Sequence, residues 1–172
     1  MLRLSNAFYE RTILSLRTGG KIGFAVQPLI NPNNLKIEGW YAEDSVKKGE
    51  FILPILEVRD FITKGIVVND HDAITDPEDL VRLKEVIGIR FELQGKQVVT
   101  ESKHKLGKVV DFAVNDSFYV QKLYVNPPIL KGLTGNQLLI GRNEIIEIND
   151  RQIVVNDPTE SLKSGLAARA TA

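Results

Sequence analysis

Short apolar runs broken by polar turns, rather than long amphipathic stretches, set the rhythm of this chain. Residues 12–16 and 97–100 are β-branched or apolar, and each run ends in a polar turn. Longer runs follow, carried by Ile22, Ala25, Val26, Leu29 and Ile30, and again by Leu106, Val109, Val110, Phe112 and Val114. The near-alternation Asp111-Phe112-Ala113-Val114-Asn115 marks a strand with one buried and one wet face. Turn formers come next, Asn31-Pro32-Asn33-Asn34 and Asn115-Asp116-Ser117, and they predict reversals into strands over 35–41 and 118–125. Further strands are predicted over 51–54, 66–68, 138–140, 144–148 and 153–155, the last two joined by an Asn149-Asp150 hairpin turn. Pro54 has no N–H to donate, so its strand lies at an edge or ends there.

These elements come in two sets. Ile-Val-Val-Asn-Asp occurs at 66–70 and again at 153–157. Lys21-Ile22-Gly23-Phe24-Ala25-Val26 parallels Lys105-Leu106-Gly107-Lys108-Val109-Val110, and residues 35–41 parallel 118–124. Three blocks in one order indicate a tandem duplication. Each half holds five or six short strands, and closing the sheet removes its edges, which favours a small barrel. Gly23 and Gly107 sit at matching places near a strand start, where glycine signals a bulge or a close backbone approach. A phosphate cradle would need several glycines and a following helix, and neither is present. Between the halves, Asp76-Pro77-Glu78-Asp79 has the N-cap, first-turn proline and acids of a helix start. Leu80, Leu83, Val86 and Ile87 would line one face of that helix. The predicted fold is mainly β: two small antiparallel β-barrels in tandem, joined by a short capped helix. The first barrel takes 1–74, the helix 75–88, the second barrel 89–157, and a short helix with a frayed tail 158–172.

In this arrangement the chain resembles the PRC-barrel family, named after the photosynthetic reaction centre H subunit. The family also includes the C-terminal domain of the small-subunit ribosome maturation factor. The resemblance is carried by residues 20–26 and 53–70 in the first half, and by 102–111 and 138–157 in the second. It implies two barrels in series that act as adaptor or assembly domains, binding other proteins, with no shared catalytic residues. Both halves resemble PRC copies, whereas the ribosome maturation factor carries a different N-terminal barrel. That difference weighs against a ribosomal role.

Composition narrows the chemistry. The chain has 172 residues, 43% hydrophobic and 26% charged, with 22 acidic and 22 basic side chains. This balance gives no general attraction to nucleic acid or anionic membranes. There are no cysteines, which excludes disulfides, thiolate zinc sites and a cysteine nucleophile. No run of about 18 apolar residues offers a membrane span, and Arg3, Glu10 and Arg11 interrupt any signal-peptide core. A cytoplasmic location is expected.

Two histidines are the obvious candidates for catalysis or metal binding. Asp70-His71-Asp72 with Asp76 could ligate a divalent ion, but the matching Asp157-Pro158-Thr159 has no histidine, so a solvated linker that caps the next helix is favoured. His104 stands in the basic turn Ser102-Lys103-His104-Lys105 with no evident orienting partner. The acid pairs Glu43/Asp44, Glu78/Asp79 and Glu144/Glu147 carry no sign of the contrasting environments that acid–base work needs. No enzyme activity, metal or cofactor is expected.

Two binding surfaces remain. Asn126-Pro127-Pro128-Ile129-Leu130-Lys131-Gly132-Leu133 places apolar residues in a loop. There Pro127, Pro128, Ile129, Leu130 and Leu133 would form a protein-binding patch, or fold back as a barrel lid. Lys103, Lys105 and Lys108 concentrate positive charge and would serve RNA in the alternative reading, although no aromatic platform stands beside them. The expected function is a non-enzymatic protein-binding or scaffold module with a protein partner. An RNA- or ribosome-associated factor is the alternative.

Overall fold

The computed structural model describes residues 1–128 and 137–157. The fold is mainly β, with two sheets and one short α-helix among the described residues. The chain separates into two compact units. Residues 1–91 with the turn 114–119 form one, and 92–113 with the residues from 120 onward form the other. The predicted C-terminal helix and tail at 158–172 lie outside the described residues.

After the two-residue strand β1 (Arg3–Leu4), the first unit builds a sheet from β2 (Arg11–Ser15), β3 (Lys21–Asn31), β4 (Lys36–Asp44), β5 (Phe51–Pro54), β6 (Val58–Ile62) and β7 (Gly65–Val68), in the order β5-β4-β3-β2-β7-β6. The second sheet uses β8 (Gln97–Thr100), β9 (Lys105–Val114), β10 (Val120–Asn126), β11 (Leu138–Gly141), β12 (Ile145–Ile148) and β13 (Gln152–Val155), in the order β11-β10-β9-β8-β13-β12. The two orders are the same. In each, the two end strands are consecutive in sequence, joined only by a three-residue turn, Ile55–Glu57 or Arg142–Glu144. So short a link forces the ends of the sheet towards each other, and each sheet curls.

Pairing is antiparallel except at one place in each sheet. The closing strand β7 runs parallel to β2, with Ile13 opposite Ile66, and β13 runs parallel to β8, with Ile153 opposite Val98. All four of these residues are fully buried. The Ile-Val-Val-Asn-Asp blocks therefore have one job, sealing the first strand of their own sheet. Val67 and Val154 are both half-buried.

The glycine reading holds in detail. The register of β2 with β3 slips between Ile13 and Leu14, opposite Gly23 and Lys21; that of β8 with β9 slips between Val98 and Val99, opposite Gly107 and Lys105. At both places the next strand's end passes overhead. A Cβ on Gly23 would lie 2.5 Å from the Glu43 carbonyl oxygen, and one on Gly107 only 1.9 Å from that of Asn126. The turns match as well: Leu35 and Phe118 both adopt positive φ, at 52° and 64°, and Asn31 and Asn115 each accept an N–H two residues on.

The inner face of the first sheet holds an aromatic cluster. Phe61 stacks on Trp40 at 6.0 Å and tilts against Phe8 at 5.4 Å. Trp40 is fully buried and its indole N–H donates to the Phe8 carbonyl at 2.9 Å, as a buried tryptophan requires. In the second sheet Val98, Phe112, Leu123, Val125 and Ile153 are fully buried.

Two local expectations need correcting. The capped helix is not one continuous run. Asp76 caps a single 3-10 turn (Pro77–Asp79), accepting from the Glu78 N–H at 3.0 Å, and only α1 (Lys84–Ile89) is α-helical. β6 has no counterpart among the strands expected for the first half, because Arg59 and Asp60 at its centre interrupt the apolar pattern.

Candidate functional site

The outer face of the first sheet begins with residues that share one side of adjacent strands. Tyr41 on β4 stands opposite Ile52 on β5, and Gln27 on β3 stands opposite Tyr41. Leu29, Tyr41 and Ile52 pack with Val86 of α1, and Leu80, Leu83 and Ile87 close around them. The apolar spacing read from sequence therefore survives the broken helix. Ile52 exchanges two backbone hydrogen bonds with Thr75, both at 2.9 Å, which extends the sheet by one residue before the chain turns over it. The Tyr41 hydroxyl donates to the Ile87 carbonyl at 3.0 Å. Arg90 lies 5.3 Å above the Tyr41 ring and makes a two-pronged ion pair with Glu50. Burial pushes the Tyr41 phenol pKa up, with Arg90 opposing and Glu50 adding to the rise. Beside this cap is a cleft of about 340 Å³, lined by residues including Gln27, Tyr41, Glu43, Glu50 and Arg90.

The second sheet repeats the strands, and among the described residues no cap lies over them. Tyr124 on β10 stands opposite Leu139 on β11, Leu123 opposite Ile140, and Lys122 opposite Gly141. These pairs match Tyr41 with Ile52, Trp40 with Leu53, and Gly39 with Pro54. Exposure differs sharply: Ile52 is 0% exposed and Leu139 53%. Tyr124 is half-buried, and among the described residues its hydroxyl makes no hydrogen bond. The Gly141 N–H points away from β10 and donates to the Glu144 carboxylate at 2.6 Å. Leu139 lies two residues earlier on the same strand, so its N–H points the same way. Among the described residues nothing occupies the place of Thr75 there. Leu138, 36% exposed, points to the other side of the strand. Sequence reasoning missed this patch, although the parallel between 35–41 and 118–124 already paired the two tyrosines.

The loop singled out from sequence is reached only at its start. Pro127 is half-buried and Pro128 exposed, directly after β10. Gly107, at φ +137°, lets the Asn126–Pro127 backbone pass close over β9. Ile129, Leu130 and Leu133 lie outside the described residues. Lys103, Lys105 and Lys108 are exposed. Lys105 and Lys108 pair with Val99 and Gln97, two residues apart on β8, so the β9 bulge brings both lysines to one face. Lys103 stands in the preceding turn at φ 66°.

His71 does meet an acid. Its Nε2 lies 2.8 Å from Asp44 Oδ2, and the Asp44 side chain is 1% exposed. The other Asp44 oxygen accepts the Val46 and Lys47 N–H groups at 2.7 and 3.0 Å. Burial raises the Asp44 pKa, but these two N–H groups and His71 outweigh it and hold the carboxyl below its usual range. Asp70 accepts from the Asp72 N–H at 3.0 Å and from Arg17 at 3.1 Å, contacts that lower its pKa. The contacts tie together the loop after β4 and the turn after β7.

His104 Nδ1 lies 3.2 Å from the Ser102 hydroxyl, which donates to Asp157 at 2.6 Å. Because the serine proton goes to the carboxylate, the ring nitrogen can only donate to the serine oxygen. The serine sits between acid and histidine, the reverse of the order that activates a nucleophile. Asp157 corresponds to Asp70 in the first half, where Arg17 takes the place of Ser102.

Compared with known proteins, the chain matches no protein-family model and no curated protein sequence.

Proposed function

We propose that this chain is a non-enzymatic protein-binding or assembly module built on two PRC-like curled sheets, and that its partner docks on the outer face of the second sheet. One observation carries the reading. Two sheets share strand order and register, yet the Leu29–Tyr41–Ile52 face is covered by the chain itself, while among the described residues nothing covers Tyr124 and Leu139 in the same way. An uncovered apolar face costs free energy that contact with another protein recovers, at about 25 cal/mol per Å² of apolar area removed from water. No helix among the described residues is long and apolar enough to cross a membrane. The absence of cysteine suits work in the reducing cytoplasm.

Affinity capture from lysate, with and without nuclease, tests the reading. Partners should survive nuclease and be lost from a Leu139→Asp variant. Loss of every partner on nuclease treatment, with capture by Leu139→Asp unchanged, would overturn it.

A second reading is favoured by the lysines on β9. Lys105 and Lys108 share a face beside Lys103, and such a stripe neutralises phosphates in a salt-dependent way. Under this reading the chain is an RNA- or ribosome-associated factor. Changing the three lysines to glutamate would then abolish capture, whereas protein binding at Leu139 would persist.

A further inference from the structure

The division into compact units does not follow the duplication. Residues 114–119 belong to the first unit, although β9 and β10, the strands they join, build the second sheet. Phe118 carries this turn into the first core. Its ring lies edge-on to Phe8, Trp40 and Phe61, with centroids 6.2, 6.1 and 6.2 Å away. It thereby completes an aromatic cluster that includes the fully buried rings of Phe8 and Trp40. The backbone is fastened too. The Phe118 carbonyl accepts the Ile37 N–H at 2.9 Å, Tyr119 forms a β-bridge with Lys36, and Arg3 reaches Asp116 at 3.3 Å.

The backbone angle gives an independent sign that the ring matters more than the turn. Phe118 sits at φ 64°, where glycine is at ease and a bulky residue is an outlier. A merely local turn would be relieved by glycine there. The contacts of the phenylalanine ring offset that strain, since edge-on aromatic pairs add to what burial alone supplies. Leu35, the matching residue of the first half, is held at φ 52° and is 2% exposed.

We infer that the turn 114–119 is a staple: the first unit's core is complete only when the second half has folded and presents Phe118 to it. Barrels merely strung in series would unfold independently, whereas a stapled pair unfolds as one. The coupling runs through the chain itself. Val114 and Val120, which flank the turn on β9 and β10, are both buried. When those strands unravel, the turn loses its shape and Phe118 leaves the cluster.

The test uses the full chain. Trp40 is its single tryptophan, so fluorescence reports the first unit, and amide hydrogen exchange over 97–100 and 152–155 reports the second sheet. In urea, both signals should be lost over the same range. Val98→Ala, a cavity on β8 outside the aromatic cluster, should nevertheless lower the Trp40 midpoint by about 0.5–1 M. Phe118→Ala should lower it by about 1 M or more, and protection over 97–100 should then outlast the Trp40 signal. Phe118→Gly, free of the backbone strain, should behave as Phe118→Ala does, and Phe118→Leu should fall between it and the wild type. An unmoved Trp40 midpoint in Val98→Ala would overturn the inference, as would separate transitions in the wild type. A Phe118→Gly chain more stable than wild type would do the same, because the turn would then be a local feature only.

Discussion

Tyr41 and Tyr124 occupy the same register position in two sheets of the same strand order, yet among the described residues only Tyr41 has its hydroxyl bonded, to the Ile87 carbonyl at 3.0 Å. Removing the hydroxyl therefore gives different results at the two sites. Tyr41→Phe strands the Ile87 carbonyl under the ring and should cost about 1–2 kcal/mol. Tyr124→Phe removes nothing bonded among the described residues and should change stability by less than about 0.5 kcal/mol. Urea denaturation of the two variants measures the contrast.

The residues opposite these tyrosines behave in the same way. Ile52 is fully buried beneath α1, so Ile52→Ala should destabilise by about 2–5 kcal/mol. Leu139→Ala, at a side chain 53% exposed, should stay within about 0.5 kcal/mol. Equal costs would mean that the second face is covered in solution.

Gly107 and Gly88 test the backbone. Gly107 sits at φ +137°, with the Asn126 carbonyl oxygen 1.9 Å from where a Cβ would stand, so Gly107→Ala should cost at least about 2 kcal/mol. Gly88 lies inside α1 with nothing within 4 Å of its would-be Cβ, so Gly88→Ala should stabilise by about 0.5–1 kcal/mol. Thermal unfolding of the pair shows opposite signs.

Asp44 sets an acid-sensitive contribution. Its carboxyl titrates below the usual range in the folded chain and near about 3.9 when unfolded. The unfolded state thus binds a proton first as pH falls. The contribution is complete above about pH 4 and is lost as pH drops through the lowered folded value. Asp44→Asn should be less stable at neutral pH and should show a shallower loss of stability below pH 4. Chemical denaturation at a series of pH values separates the two slopes.

Much of the fold was legible in the residues, and for local reasons. The Ile-Val-Val-Asn-Asp blocks, the asparagine turns and the single glycines near strand starts each act through the backbone beside them, so sequence exposes them. Trp40, on the strand predicted over 35–41, is fully buried. The rest depends on distant partners. Nothing near Arg59 and Asp60 announces that their strand completes a sheet, because β6 is specified by pairing with β7. The parallel pairing of β2 with β7 is likewise invisible to alternation, which fixes faces but not direction. The helix broke because Leu80 and Leu83 are held by the sheet beneath them rather than by a regular helical ladder. The bare patch escaped notice for a related reason. Leu139 looks like a core residue, yet no described residue covers it as α1 covers Ile52.

The parallel pairing of first and last strands also dictates the order of assembly. β2 gains its second neighbour only when β7 arrives, some fifty residues further along the chain, and β8 waits in the same way for β13. Neither sheet can therefore finish during synthesis until its final strand has emerged. A nascent chain cut short before Ile153 presents Val98 and Val99 as an open, sticky strand edge. Chain termination just ahead of the second Ile-Val-Val-Asn-Asp block thus leaves an aggregation-prone product rather than a slightly weakened protein.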